Sequence, residues 1–83
     1  MSIEKVQANQ RLITDLLEDQ SLLMVEYHRF LNVYTENKDS LNTAQKFDAK
    51  TALKQYREQI NSLADRILKL QQEITTIISG EVK

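Results

Sequence analysis

The sequence lacks the residues that usually interrupt or cross-link a small protein. It contains no cysteine and no proline, and its one glycine is Gly80. Without cysteine, neither a disulfide framework nor a thiolate metal site can stabilise the 83-residue chain. Without glycine and proline turn signals, a β-sheet is disfavoured. Because 28% of the residues are charged and only five are aromatic, the composition predicts an all-α protein.

Long apolar segments are missing as well. No apolar run approaches the roughly 18 residues that a membrane-spanning helix needs. The first ten residues, MSIEKVQANQ, lack the basic start and apolar core of a secretory signal. We therefore expect a cytoplasmic location, with leaderless secretion left open.

Residues suited to catalysis or metal binding are also scarce. His28 is the single histidine, so no set of metal ligands with the usual spacing can be assembled around it. Asp15, Glu18 and Asp19 cluster on the polar side of a helix, where carboxylates stay solvated. We predict that the chain is not an enzyme and uses no metal or cofactor.

Apolar residues then recur at helical spacing through the first half of the chain. Two rows repeat every seven residues, and they are Ile3, Gln10, Leu17, Met24 and Leu31, and Val6, Ile13, Gln20, Tyr27 and Tyr34. Leu16, Leu23 and Phe30 lie beside these rows and widen the apolar stripe. The pattern predicts a helix over about residues 3–36, with Gln10 and Gln20 at core positions.

The second half repeats the pattern with fewer interruptions. Its two rows are Leu53, Ile60, Ile67 and Ile74, and Tyr56, Leu63, Leu70 and Ile77. They predict a helix over about residues 44–79.

The segment between the helices is rich in Asn, Asp and Ser, which favours a turn at about 37–43. Ser40, Thr43 and Asp48 are candidate caps for the second helix. Phe47 is out of phase with that helix, and we expect it to fold over the end of the hairpin. Gly80 is expected to end the helix and leave a short tail, residues 80–83.

Two helices of similar length joined by a short turn predict a single-domain antiparallel hairpin over residues 1–83. The first half is net acidic and the second half net basic, which fits this pairing. Isoleucine in one row of the second helix and leucine in the other also favour parallel pairing between two chains. Both orientations between chains therefore stay open.

A second apolar patch predicts that the hairpin associates with something else. Leu22, Val25 and Val33 lie on the side of the first helix away from its main stripe, with Arg29 among them. Patches of this kind commonly mark association sites. The predicted interface comprises Leu22, Leu23, Met24, Val25, Arg29, Phe30 and Val33. The chain is thus expected to be a protein–protein interaction module, such as an adaptor, chaperone or complex subunit. Its partner is either another copy, in a dimer or four-helix bundle, or a different helical protein.

A basic stripe supports the alternative hypothesis. Lys46, Lys50, Lys54 and Arg57 share one face of the second helix, beside Phe47. A dimer would double the stripe and could bind nucleic acid as a small regulator. Because the net charge is −1 and base-reading clusters are missing, this alternative is the less favoured one.

Overall fold

The computed structural model describes the backbone of residues 2–82 and the side chains of residues 3–80. Helix α1 spans Ser2–Asn37 and helix α2 spans Thr43–Val82, with a short 3-10 helix at Lys38–Ser40 between them. The two long helices pack side by side in antiparallel directions, and residues 2–82 contain no strand. The predicted all-α antiparallel hairpin is confirmed. Its Cα atoms fill a rod of 62 × 16 × 12 Å.

Side chains close the end of α1 at the turn. The Asn37 side-chain amide donates a hydrogen bond to the carbonyl of Val33 at 2.8 Å. The Ser40 hydroxyl donates to the carbonyl of Asn37, also at 2.8 Å. Leu41 then adopts an extended conformation, with φ −90° and ψ 142°. The Asn37 carbonyl, which the helix leaves free, is thereby paired, and the chain reverses direction.

A capping box begins α2. The amide of Gln45 donates to Asn42 Oδ1 at 2.8 Å, and the amide of Asn42 donates to Gln45 Oε1 at 3.0 Å. This reciprocal pair satisfies two amides that the first helical turn leaves without partners. The cap is therefore Asn42 rather than Ser40, Thr43 or Asp48. The signal was present in the sequence as an Asn followed three residues later by a Gln.

Replacing Asn42 with alanine is expected to lower the free energy of unfolding by about 1 kcal/mol, because the Gln45 amide loses its acceptor. For a domain of this size, that loss corresponds to a fall in melting temperature of roughly 4–8 °C. Circular dichroism melts measure the effect. Asn42→Ser keeps an acceptor and should melt close to the wild type. An unchanged melt for Asn42→Ala would show that the capping box does not stabilise α2.

Two local predictions at the ends of α2 are wrong. The helix does not end at Gly80 but continues to Val82, and no glycine adopts a positive φ. A helical glycine costs only about 1 kcal/mol relative to alanine, so it does not have to break a helix. Phe47 is 69% exposed and therefore does not cover the end of the hairpin. Lys83, the last residue of the predicted tail, lies outside the described residues.

The α1–α2 seam uses both predicted rows of α2 and one predicted row of α1. The α2 rows that start at Leu53 and Tyr56 are buried or half-buried throughout. On α1, the row from Val6 to Tyr34 is half-buried as predicted. The row that starts at Ile3 lies at the edge of the seam, since Ile3, Gln10, Leu17 and Met24 are exposed and only Leu31 is half-buried. Its place is taken by the row Asn9, Leu16, Leu23 and Phe30.

The hairpin has little interior. Only three apolar side chains among those described are buried, namely Leu16, Leu53 and Ile67. The accessible surface is 6480 Å², whereas a compact monomer of 9.7 kDa would expose about 5,100 Å². The radius of gyration is 18.6 Å, against about 12 Å for a compact domain of this length. The chain thus leaves much of its apolar surface in contact with water.

Candidate interaction surface

Three cross-helix contacts fix how α1 and α2 align. The rings of Tyr27 and Tyr56 meet edge to face, with centroids 6.4 Å apart. The Gln20 side-chain amide donates to the carbonyl of Ile60 at 3.3 Å, and Lys5 pairs with Glu73 at 3.7 Å. Equal numbers of residues counted from the Tyr27–Tyr56 layer in antiparallel helices bring Leu16 to the level of Ile67 and Asn9 to the level of Ile74.

Two polar residues lie within this seam. Gln20 is half-buried and uses its amide on the α2 backbone, in line with its predicted core position. Gln10 is exposed, so its predicted core position is wrong. Asn9 is buried instead, at 6% exposure, and its Nδ2 has no hydrogen-bond partner among the described residues. Sequence reasoning missed Asn9 because its row was not assigned to the seam.

Shallow grooves run along one side of the seam, and we call this side the groove face. Three of them adjoin. The middle groove shares Gln59 with the groove at Asp19 and shares Phe30 with the groove near the turn. They extend from the Asp19 level to the turn at Leu41. The apolar residues that line them are Leu22, Leu23, Phe30, Val33, Tyr34, Leu41, Ala49, Ala52, Tyr56 and Leu63. The groove face therefore offers a long, mainly apolar trough.

The structure divides the predicted interface residues between different sides of the hairpin. Leu22, Leu23, Phe30 and Val33 all line the groove face. Met24 belongs to the exposed Ile3 row, which borders the opposite edge of the seam. Val25 is exposed on the back of α1, outside these three grooves. Arg29 is exposed beside the groove face and pairs with Glu26 at 3.2 Å.

The charged residues that line the three grooves are all acidic. Asp19, Glu26 and Asp48 line these grooves, and the described lining residues include no lysine or arginine. Arg29 partly neutralises Glu26 through their surface ion pair. The remaining polar lining groups are uncharged, for example Gln59 and Ser62 on α2. An occupant of this trough meets apolar side chains along the middle and carboxylates along the rim.

The basic stripe follows the first half of α2 but is not uniformly available. Lys46 is half-buried, and Lys54 pairs with Glu58 at 3.9 Å. Lys50 and Arg57 are exposed, as is Phe47 nearby. Three of the four cations are thus exposed, and one of these three, Lys54, has a carboxylate partner on the same helix.

No group of three or more His, Cys, Asp or Glu side chains in residues 3–80 is arranged to hold a metal ion. His28 is exposed, and its ring packs against Tyr27 with centroids 5.4 Å apart. Within the described part of the chain, neither helix carries a segment apolar enough to cross a membrane.

Comparison with known proteins adds no assignment to this geometry. No protein-family model matches the chain, and no match was found among curated proteins or solved structures.

Proposed function

We propose that the chain is a non-enzymatic protein–protein interaction module that completes a helical bundle through its groove face. The supporting observation is an imbalance of apolar burial. Among the described residues, ten large apolar side chains are 42–69% exposed, whereas three apolar residues are buried. Two of the ten, Leu22 and Val33, line the groove face, and exposed apolar groups gathered along a groove commonly mark a binding site. An adaptor, chaperone or small complex subunit fits this requirement.

The trough has the shape that a third helix needs. Two antiparallel helices leave a channel between them, and a helix in that channel buries the side chains on both walls. The connected grooves follow α1 from Asp19 to the turn. At 1.5 Å per residue, this path matches a partner helix of about 20 residues. Leu22 and Val33, both more than half exposed, would become anchors at two levels of the trough.

The rim defines the chemistry of the partner. Carboxylates at Asp19, Glu26 and Asp48 favour lysine or arginine on the flanks of the incoming helix. The middle of the trough favours apolar residues at i, i+3 or i+4, and i+7. The partner is thus proposed to be an amphipathic helix with a basic border. A nucleic acid is disfavoured at this face because its phosphates would meet the carboxylates.

Substituting both Leu22 and Val33 with aspartate is expected to abolish partner capture while preserving helicity. Each side chain contributes about 1.5–3 kcal/mol when fully buried, so losing each one weakens binding about tenfold or more. The measurement is affinity capture on the immobilised chain from a nuclease-treated extract of the source cells. Captured proteins are identified by mass spectrometry, and circular dichroism checks the fold of each variant.

Val25→Asp is the matched control, since Val25 is similarly exposed but lies on the back of α1. It should retain the captured proteins if the groove face is the contact. Loss with Val25→Asp as well would favour the wider patch predicted from the sequence. Capture that is unaffected by the Leu22 and Val33 substitutions contradicts the groove-face proposal. Capture from an untreated extract that is absent from the nuclease-treated one would favour the nucleic-acid alternative at Lys46, Lys50, Lys54 and Arg57.

A further inference from the structure

On the side of the hairpin opposite the groove face, the half away from the turn presents exposed residues that carry no charge. On α1 it is formed by the seven-residue rows that start at Ile3 and Gln7. On α2 it is formed by the rows that start at Asn61 and Ala64. In the half of the hairpin away from the turn, its residues are Ile3, Gln7, Gln10, Thr14, Leu17, Ser21, Met24, Asn61, Ala64, Leu68, Gln71, Thr75 and Ile78. All thirteen are exposed and none is charged. We call this surface the uncharged face.

The absence of charge is confined to this surface. The same two chain segments, residues 3–24 and 61–78, carry ten charged residues. They are Glu4, Lys5, Arg11, Asp15, Glu18, Asp19, Asp65, Arg66, Lys69 and Glu73. Arg11 and Asp15 border the uncharged face, where they line a shallow pocket with Gln7, Gln10 and Thr14. By helical spacing, the other eight lie on the groove-face side of the seam or on the backs of the helices. Depletion of charge with retained apolar residues characterises the centre of protein interfaces.

We infer that the uncharged face binds a second copy of this chain in an antiparallel, two-fold dimer. Met24 of one copy then lies against Ile3 of the other, at both ends of the contact. Gln10 meets Leu17, and Thr14 lies near the two-fold axis. On α2, Leu68 meets Gln71 and Asn61 meets Ile78. Each apolar residue finds a neutral or apolar neighbour because a two-fold contact pairs the surface with itself.

The basic stripe decides the orientation of the two copies. It occupies the same side of the hairpin but lies nearer the turn, with Arg57 next to the uncharged face. In the antiparallel dimer, the two stripes lie at opposite ends, each just past the open end of the other copy. A parallel dimer would bring both stripes to one end, where like charges repel. The charge pattern therefore selects antiparallel packing.

The contact is large enough for a stable dimer. The uncharged face covers about 22 residues of α1, or roughly 33 Å at 1.5 Å per residue. Two helices side by side are about 20 Å wide with their side chains, which gives roughly 1,300 Å² for the two copies together. Specific protein interfaces bury about 1,200–2,000 Å² in total. The second copy is thus a fitting occupant by area as well as by charge.

Light scattering behind a sizing column tests the inference. The wild-type chain should show twice its mass of 9.7 kDa. Leu17→Asp and Leu68→Asp should each shift it to the monomer mass, because every substitution occurs twice in a two-fold contact. With about tenfold or more lost per buried anchor, the dissociation constant should rise by about a hundredfold.

Val25→Asp is again the control. Val25 is 54% exposed and Leu17 is 47% exposed, so the two side chains are similarly accessible, but Val25 lies off the uncharged face. It should remain a dimer, and so should the Leu22→Asp, Val33→Asp double variant on the groove face. A monomeric wild type at about 100 μM, well above the micromolar dissociation constants of weak complexes, overturns the inference. A control that dissociates like Leu17→Asp overturns it too. If the chain does not dimerise, the proposal of partner binding through the groove face still stands. If no partner is captured through the groove face, the dimer proposal still stands.

Single cysteines test the orientation, since the chain has none of its own. A mixture of Gln7→Cys and Ser21→Cys chains should form a disulfide-linked heterodimer under oxidation, because antiparallel packing places these positions together. Either variant alone should cross-link poorly. A mixture of Ser21→Cys and Asn61→Cys reports parallel packing instead, and efficient cross-linking of that pair would overturn the antiparallel arrangement.

Discussion

The Leu53→Ala variant is expected to lose about 2–5 kcal/mol of its free energy of unfolding, because the substitution removes buried methyl groups and leaves a cavity. Leu53 is the least exposed apolar residue described, at the level where α1 and α2 share an aromatic cluster. In that cluster the rings of Phe30 and Tyr56 are 6.1 Å apart. With only three buried apolar residues between positions 3 and 80, the hairpin has few contacts to compensate. We therefore expect a large fraction of the variant to be unfolded at 37 °C.

Urea unfolding followed by circular dichroism at a fixed chain concentration measures the loss. The concentration must be matched, since association adds to the apparent stability of the folded state. Val25→Ala removes an exposed apolar side chain from the back of α1 and should change stability by less than about 0.5 kcal/mol. If Leu53→Ala unfolds together with the wild type, the seam does not hold the hairpin together.

Replacing Asn9 with leucine should have a large effect of the opposite sign. The Asn9 amide nitrogen is buried without a hydrogen-bond partner among the described residues. A buried, unpaired polar group costs about 1–3 kcal/mol, and leucine has a similar branched shape without the donor. The variant should gain stability of that order, seen as a higher urea midpoint. For comparison, Asn32→Leu makes the same change at an exposed position of α1 and should give no such gain. A less stable Asn9→Leu would mean that the Asn9 amide is paired in the folded protein.

The rows of α2 could be read from the sequence because they contain only apolar residues and Tyr56. In α1 the apolar stripe is wider than one neighbour covers, and the sequence offers two sets of residues for the second seam row. One set contains Leu17 and Met24, and the other contains Leu16 and Leu23. Each set includes a polar residue near the start, Gln10 in one and Asn9 in the other. The choice depends on how α2 aligns with α1, and no local pattern encodes that alignment.

The candidate surfaces were predictable only in part for the same reason. The exposure of Leu22, Val25 and Val33 follows from their helical spacing and agrees with the structure. Their division between a groove and the back of the helix needs the position of α2. The uncharged face escaped the sequence reasoning because it combines residues from both helices. It becomes visible only when Leu17 and Leu68 are placed on one side of the same rod.

The capping box at Asn42 and Gln45 also bears on the order in which the hairpin forms. Layers near the turn join residues close in sequence, so closing them costs the least chain entropy, and each later layer extends a segment already formed. Protection of backbone amides against hydrogen exchange should then decline from the turn towards the open end, where Asn9 weakens the seam. The uncharged face covers this late-closing half. A second copy bound there would slow the separation of α1 from α2 at the open end, where the single chain is least stable.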